Sequence, residues 1–253
     1  MRKTIFSLGL AAVIGLVAPA VQASEGAALP KLSWSFSAPF GTYDRGALQR
    51  GFQVYKEVCA ACHSMNLLAY RDLTDLGYNE AEVKAIAAQY EVTDGPNDQG
   101  EMFQRPAVPS DRFKAPFPNV QAAKAANNGA APPDLSLMAK ARVGGPDYIH
   151  ALMIGYENAP AGFAMQPGLN YNKYFPGNQI AMPAPINPDG VTFADGTKAT
   201  VDQQAKDVAN FLMWAAEPKL EQRHRMGAQV ILFLLLLSVV LFIAKRKIWS
   251  DVH

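Results

Sequence analysis

The chain reads as an all-α domain with long loops and a small β-hairpin, followed by one carboxy-terminal transmembrane helix. Three observations predict this. Apolar residues recur at helical spacing behind good capping residues, some stretches are too dense in Pro and Gly for a regular element to persist, and a long uncharged run lies near the end of the 253 residues.

Met1 to Ala23 starts with Arg2 and Lys3, runs apolar from about Ile5 to Val21 and ends in Val21-Gln22-Ala23, a small-x-small cleavage site. Residues 1–23 therefore read as a signal peptide, with the mature chain starting near Ser24. Ser24 to Tyr43, rich in Ser, Pro and aromatics, reads as an extended arm lying on the domain. Asp44 is a fair N-cap for a helix in which Leu48, Phe52, Tyr55, Cys59 and Cys62 fall on one stripe. Asn79 with Glu82 makes a capping-box start for a second helix carrying Val83, Ile86 and Tyr90.

From Asp94 to Pro118, Gly95, Pro96, Gly100, Pro106, Pro109, Pro116 and Pro118 predict a long surface loop, with Asp94, Asp98 and Glu101 as its acids. Asn119 caps a short helix ending at Asn127-Asn128-Gly129, residues suited to a left-handed turn. Pro146 fits the first turn of a helix that ends near Gly155. Asp195-Gly196, between Val191-Thr192-Phe193 and Thr197, signals a small hairpin. Thr200 with Gln203 caps a helix whose Ala205, Val208, Leu212 and Ala215 face a core, and Pro218 starts the next one.

Met226 to Ala244 is nineteen residues without a charge, roughly 28 Å as a helix and enough to cross the hydrocarbon core. Residues 218–247 read as linker and anchor helix, and 248–253 as a tail. Basic residues flank both ends, so it is the signal peptide that orients the chain, with residues 24–217 exported and the Lys245 side in the cytoplasm. Between Ser24 and Glu217 stand 15 Lys plus Arg against 20 Asp plus Glu, about −5, although the full chain is +1. An acidic exported domain suits a basic partner and disfavours nucleic acid.

The chemistry concentrates in Cys59-Ala60-Ala61-Cys62-His63. Two cysteines three apart can form two thioethers to the vinyl groups of one haem, and the next residue can turn its imidazole onto the iron, which is the c-type attachment motif. A zinc site lacks further ligands, since the chain has 2 Cys and 4 His, of which His224 and His253 flank the apolar span and only His150 stands apart. A redox dithiol would want a preceding strand and gives no reason for His63, and an inert short-loop disulfide gives none either. With both cysteines used by the cofactor, none is left for a disulfide.

A haem that only passes electrons fills its second axial position from the other side of the ring. The candidates are His150 and Met65, Met102, Met138, Met153, Met165, Met182 and Met213. Met153 and Met213 lie in apolar helical stretches and read as core, and His150 as a structural histidine. Met182, in Ile180-Ala181-Met182-Pro183, and Met165, in Ala164-Met165-Gln166-Pro167, both sit in proline-stiffened loops that can approach a flat cofactor, and local chemistry leaves both open.

The residues resemble the cytochrome c1 family, the haem subunits of the ubiquinol:cytochrome c oxidoreductase, or cytochrome bc1 complex. The likeness runs through Trp34-Ser35-Phe36, Tyr43-Asp44-Arg45-Gly46, the haem motif, Ala126-Asn127-Asn128-Gly129, Pro132-Pro133-Asp134-Leu135-Ser136, Ala141-Arg142-Val143-Gly144-Gly145, Tyr174-Phe175-Pro176-Gly177, Ile180-Ala181-Met182-Pro183 and Trp214-Ala215-Ala216-Glu217-Pro218.

The resemblance implies that one haem c is covalently held by Cys59 and Cys62. His63 and Met182 become its axial ligands, Arg142 and Tyr148 lie near the propionates, and Asn127, Pro132 and Pro133 form pocket wall. It implies a periplasmic cytochrome c domain at residues 24–217, anchored in a bacterial inner membrane. The domain would pass electrons from the Rieske iron–sulfur protein to a c-type cytochrome, beside cytochrome b, within a dimeric complex. On that reading the chain has no catalytic residues of its own. An anchored cytochrome c of another oxidase or reductase, and a thiol oxidoreductase, are the alternatives.

Overall fold

The computed structural model describes residues 27–250, so the expected signal peptide lies outside the described residues. Helix α1 spans Arg45–Glu57, and Asp44 caps it by accepting from the Ala47 N–H at 3.1 Å. Leu48, Phe52 and Tyr55 are buried, as their stripe predicts. The helix does not continue to Cys62. It ends at Glu57, and Cys59–Ala61 forms a 3₁₀ turn in which the N–H groups of Cys62 and His63 both reach the Cys59 carbonyl, at 3.1 and 2.9 Å. Residues three apart eclipse one another in a 3₁₀ turn, so the two cysteines still share a side although they leave the α-helical stripe.

A 3₁₀ helix, Tyr70–Leu76, leads to α2, Glu80–Ala87. The expected capping box is present, with the Glu82 N–H donating to Asn79 Oδ1 at 2.9 Å and the Asn79 N–H to Glu82 Oε2 at 2.8 Å. Tyr90 lies past the end of α2 and stacks on Tyr70.

Part of the expected long loop is instead a β-hairpin: β1, Glu91–Asp94, pairs antiparallel with β2, Phe103–Pro106, in the register Glu91↔Pro106 to Asp94↔Phe103. The breakers Gly95, Pro96 and Gly100 are confined to its tip, where Asn97 Oδ1 accepts from the N–H groups of Gln99 and Glu101. Pro106, the last residue of the strand, interrupts nothing that follows. Arg105 pairs with both Asp94 and Asp111, so Asp94 is committed within the hairpin rather than free for a partner.

Helix α3, Val120–Ala126, is capped by Asn119 and closed by Asn128 and Gly129 at φ 51° and 85°, with the Gly129 N–H returning to Lys124 O at 2.8 Å. A short α4, Met138–Ala141, precedes α5, Gly145–Ile154, which has its proline in the first turn. The two-residue strands β3, Asn170–Tyr171, and β4, Gln179–Ile180, pair antiparallel. Asp195-Gly196 makes a turn without a ladder: the Thr197 N–H bonds Asp195 Oδ1, and Val191 and Phe193 bury their side chains instead of pairing a strand. Helix α6, Val201–Ala216, carries the expected Thr200 cap and apolar face.

The core lies between α1 and α6, with Phe52 and Tyr55 of α1 against Phe211 of α6. The two backbones meet at Gly51, where a Cβ would stand 2.1 Å from Asp207 O and 2.7 Å from Phe211 Cβ. Only glycine admits that approach. Beside it Arg50 Nε donates to the buried Asp207 carboxylate at 2.7 Å. The arm lies on the domain as expected, with Trp34 and Phe36 buried and the Trp34 indole N–H on Asp147 at 2.7 Å.

The last helix, α7, Leu220–Ile248, is 29 residues long and apolar enough to cross a membrane, with the apolar part of its surface exposed. Its first turn is fastened to the domain. Arg45 grips Glu221 with two bonds of 3.0 and 2.9 Å, the Tyr43 N–H adds a third at 2.8 Å, and Glu217 just before the helix bonds Lys140 and Arg223.

Candidate haem site

The segment after the 3₁₀ turn is locked to the loop Pro132–Ser136. His63 Nδ1 lies 2.8 Å from Pro133 O, the Leu135 N–H donates to Ser64 O at 2.9 Å, and Asp134 Oδ2 accepts from both Ser64 Oγ and the Asn66 N–H at 2.8 Å. Because Pro133 O can only accept, His63 carries its proton on Nδ1, and its Nε2 presents a lone pair. Desolvation holds the imidazole pKa below its usual value against the opposing pull of Pro133 O and Asp134, so the ring is neutral, the form that binds a metal. Burial, with a smaller push from Cys62, raises the Cys59 thiol to about 12.

Met182 sits in a loop held from behind. Tyr156 Oη donates to Met182 O at 3.0 Å, and Asn170 Nδ2 approaches the same oxygen at 3.4 Å. Asn172, fully buried, ties this loop to α5 by donating to Leu152 O at 2.8 Å and accepting from the Tyr174 N–H at 3.1 Å. Burial raises the Tyr148 phenol, with Arg142 pulling it down, and Tyr148 in turn adds to the rise that burial causes at Tyr156. Arg142, Tyr148 and Tyr156 are thus electrostatic neighbours, and Tyr156 touches the Met182 backbone. Asn127 is spent locally, its amide donating to Ala123 O at 2.7 Å, and Pro132 is half-buried one residue from the carbonyl that orients His63.

The other sulfur and imidazole candidates fall elsewhere. Met65 and Met213 are in the core, Met138 and Met153 pack against it, Met102 is exposed, and Met165 is half-buried in its loop. His150 is buried in α5 with Nε2 2.8 Å from Asp202, a structural histidine as read from the sequence.

Sequence reasoning missed Asp134, Tyr156, Asn170 and Asn172. Asp134 carried a signal, since a carboxylate two residues before Ser136 in a proline-stiffened turn is placed to collect backbone N–H groups. The other three act across 12 to 26 positions, where local pattern is silent.

The donor set fits a haem. Two thiols on one side of a tight turn, followed by a neutral imidazole with its second nitrogen engaged, is the arrangement that tethers a porphyrin by its edge and ligates its iron. A helical domain with this turn and, among the described residues, one exposed apolar helix long enough to cross a membrane defines a membrane-anchored c-type cytochrome.

Residues 34–252 match the model of the Cytochrome C1 family. The chain is 45% identical to the cytochrome c1 of Rhodospirillum rubrum, covering 100% of this chain and 98% of that protein, and 48% identical to a mitochondrial cytochrome c1 heme protein of Solanum tuberosum, covering 96% and 94%. It is 49% identical to the "Cytochrome b/c1" of Bradyrhizobium diazoefficiens over 92% of its own length, of which it spans only 37%. The chain belongs to the cytochrome c1 family, the haem-bearing electron-transfer subunits of bc1 complexes, and it carries the family's covalent haem c motif at Cys59, Cys62 and His63.

Proposed function

We propose that this chain passes single electrons from a Rieske iron–sulfur protein to a c-type cytochrome, within a dimeric complex that also holds cytochrome b and oxidises quinol elsewhere. Residues 1–23 act as an export signal, residues 24–217 form a periplasmic haem domain, residues 218–247 link and anchor it, and 248–253 remain cytoplasmic. The haem supplies a one-electron Fe(III)/Fe(II) couple. Cys59 and Cys62 would hold the haem, His63 and Met182 would ligate its iron, Arg142 and Tyr148 would serve its propionates, and Asn127, Pro132 and Pro133 would line its pocket.

The observation that carries this reading is the 2.8 Å bond between His63 Nδ1 and Pro133 O, which leaves Nε2 of the residue directly after Cys62 with a free lone pair. A thioether opposite imidazole favours the reduced iron and closes it to outside ligands, which suits a carrier. The Met182 loop, pinned through Tyr156 and Asn170, supports that role.

Met182→Leu is expected to keep the haem covalently bound while lowering its reduction potential markedly and letting the reduced protein bind carbon monoxide. A variant with unchanged potential would remove Met182 from the iron.

A further inference from the structure

Where the arm turns into α1 and meets α7, Phe40, Thr42, Glu221, His224, Arg225 and Gln229 line a cleft of about 330 Å³. We propose that this cleft binds the headgroup of an anionic phospholipid, with Arg225 as the principal contact to the phosphate.

Position comes first. The uncharged run of α7 begins at Met226, one residue after Arg225, so a chain anchored by α7 holds this cleft at the level of the headgroups. The inference rests on that membrane reading.

Charge comes second. The one carboxylate in the lining, Glu221, is already taken by two bonds from Arg45 and one from the Tyr43 N–H. Arg223 is taken by Glu217. Among the described residues Arg225 has neither an ion pair nor a hydrogen bond, only a longer-range attraction to Glu221, so the donor fork of its guanidinium, which matches phosphate oxygens, is unspent.

The neutral donors agree. His224 Nε2 faces an Arg223 N–H at 3.5 Å, which puts the imidazole proton on Nδ1, and that buried atom has no acceptor. Thr42 and Gln229 add a hydroxyl and an amide. Phe40, 76% exposed on the same rim, supplies the apolar contact that a glycerol backbone and the first acyl carbons need. A cation, unspent donors and an exposed aromatic at one depth suit a phospholipid better than a polypeptide, which would leave the donors to be matched one by one.

The test is native mass spectrometry of the full haem-loaded chain, released from nanodiscs of phosphatidylglycerol and phosphatidylcholine mixed equally. The haem spectrum checks each variant for folding. The wild type should retain one phosphatidylglycerol in preference to phosphatidylcholine. Arg225→Gln should lose that preference by about fivefold, Arg225→Lys should recover most of it, and Lys219→Gln, which removes the same charge near the start of α7 but outside the cleft, should leave it nearly intact. Equal preference in wild type and Arg225→Gln would overturn the proposal and leave the cleft to a neighbouring polypeptide. So would displacement of the lipid by millimolar inorganic phosphate, which would mark a site for the free anion. If no variant enters the nanodisc at all, the membrane reading of α7 fails instead.

Discussion

At the scale of single residues the site depends on side chains that hold backbone rather than cofactor. Tyr156 is the clearest case: its hydroxyl bonds the Met182 carbonyl from a position 26 residues earlier. Removing one such bond costs about 1 kcal/mol. Tyr156→Phe should therefore raise the population of molecules with an open sixth position about fivefold, read as faster carbon monoxide binding by the reduced protein; an unchanged rate would mean that the loop is fixed by other contacts. Asp134 plays the equivalent part on the His63 side, and its hydrogen bonds to Ser136, Asn66 and Ser64 outweigh burial to hold its carboxyl below the usual aspartate range. The motif residues were legible in the sequence because Cys-x-x-Cys-His binds its chemistry within five positions. Tyr156 was not, because a phenol says nothing about which distant carbonyl it will meet.

At the scale of elements, the caps were legible and the strand pairings were not. Asp44, Asn79, Asn119 and Thr200 each cap the helix expected of them, since a cap is a contact within three residues of chain. The hairpin of β1 and β2 was hidden by Gly95, Pro96 and Gly100 at its tip, and the Asp195-Gly196 signal failed because Val191 and Phe193 gain more by joining the core than by pairing. The close contact of Gly51 of α1 against Asp207 of α6 is one that a glycine inside a helix announces only weakly. Gly51→Ala places a methyl carbon against a backbone carbonyl that cannot yield without moving α6. It should destabilise the domain by about 3 kcal/mol, seen as a drop in thermal midpoint and in haem-loaded yield. A midpoint within a degree of wild type would show that the two helices separate easily.

At the scale of the whole molecule, the domain and its anchor are one structure rather than a globule on a flexible string. Tyr43 and Arg45 hold Glu221, while Lys140 and Arg223 hold Glu217, so the start of α7 is set by contacts from the arm, α1 and α4. That arrangement fixes the domain that carries the haem motif relative to the root of α7. The apolar run itself was plain in the sequence, whereas the ion pairs that tie its root to the domain were not, because Lys140–Glu217 and Arg45–Glu221 join residues 77 and 176 positions apart. Everything above depends on a porphyrin fastened by sulfur to one short turn. The most direct measurement is mass spectrometry of the proteolytic peptide containing Cys59 and Cys62 from the chain as purified from membranes. The account predicts a peptide heavier by one haem with neither thiol free to alkylate. An unmodified peptide in which both cysteines react with iodoacetamide would contradict it.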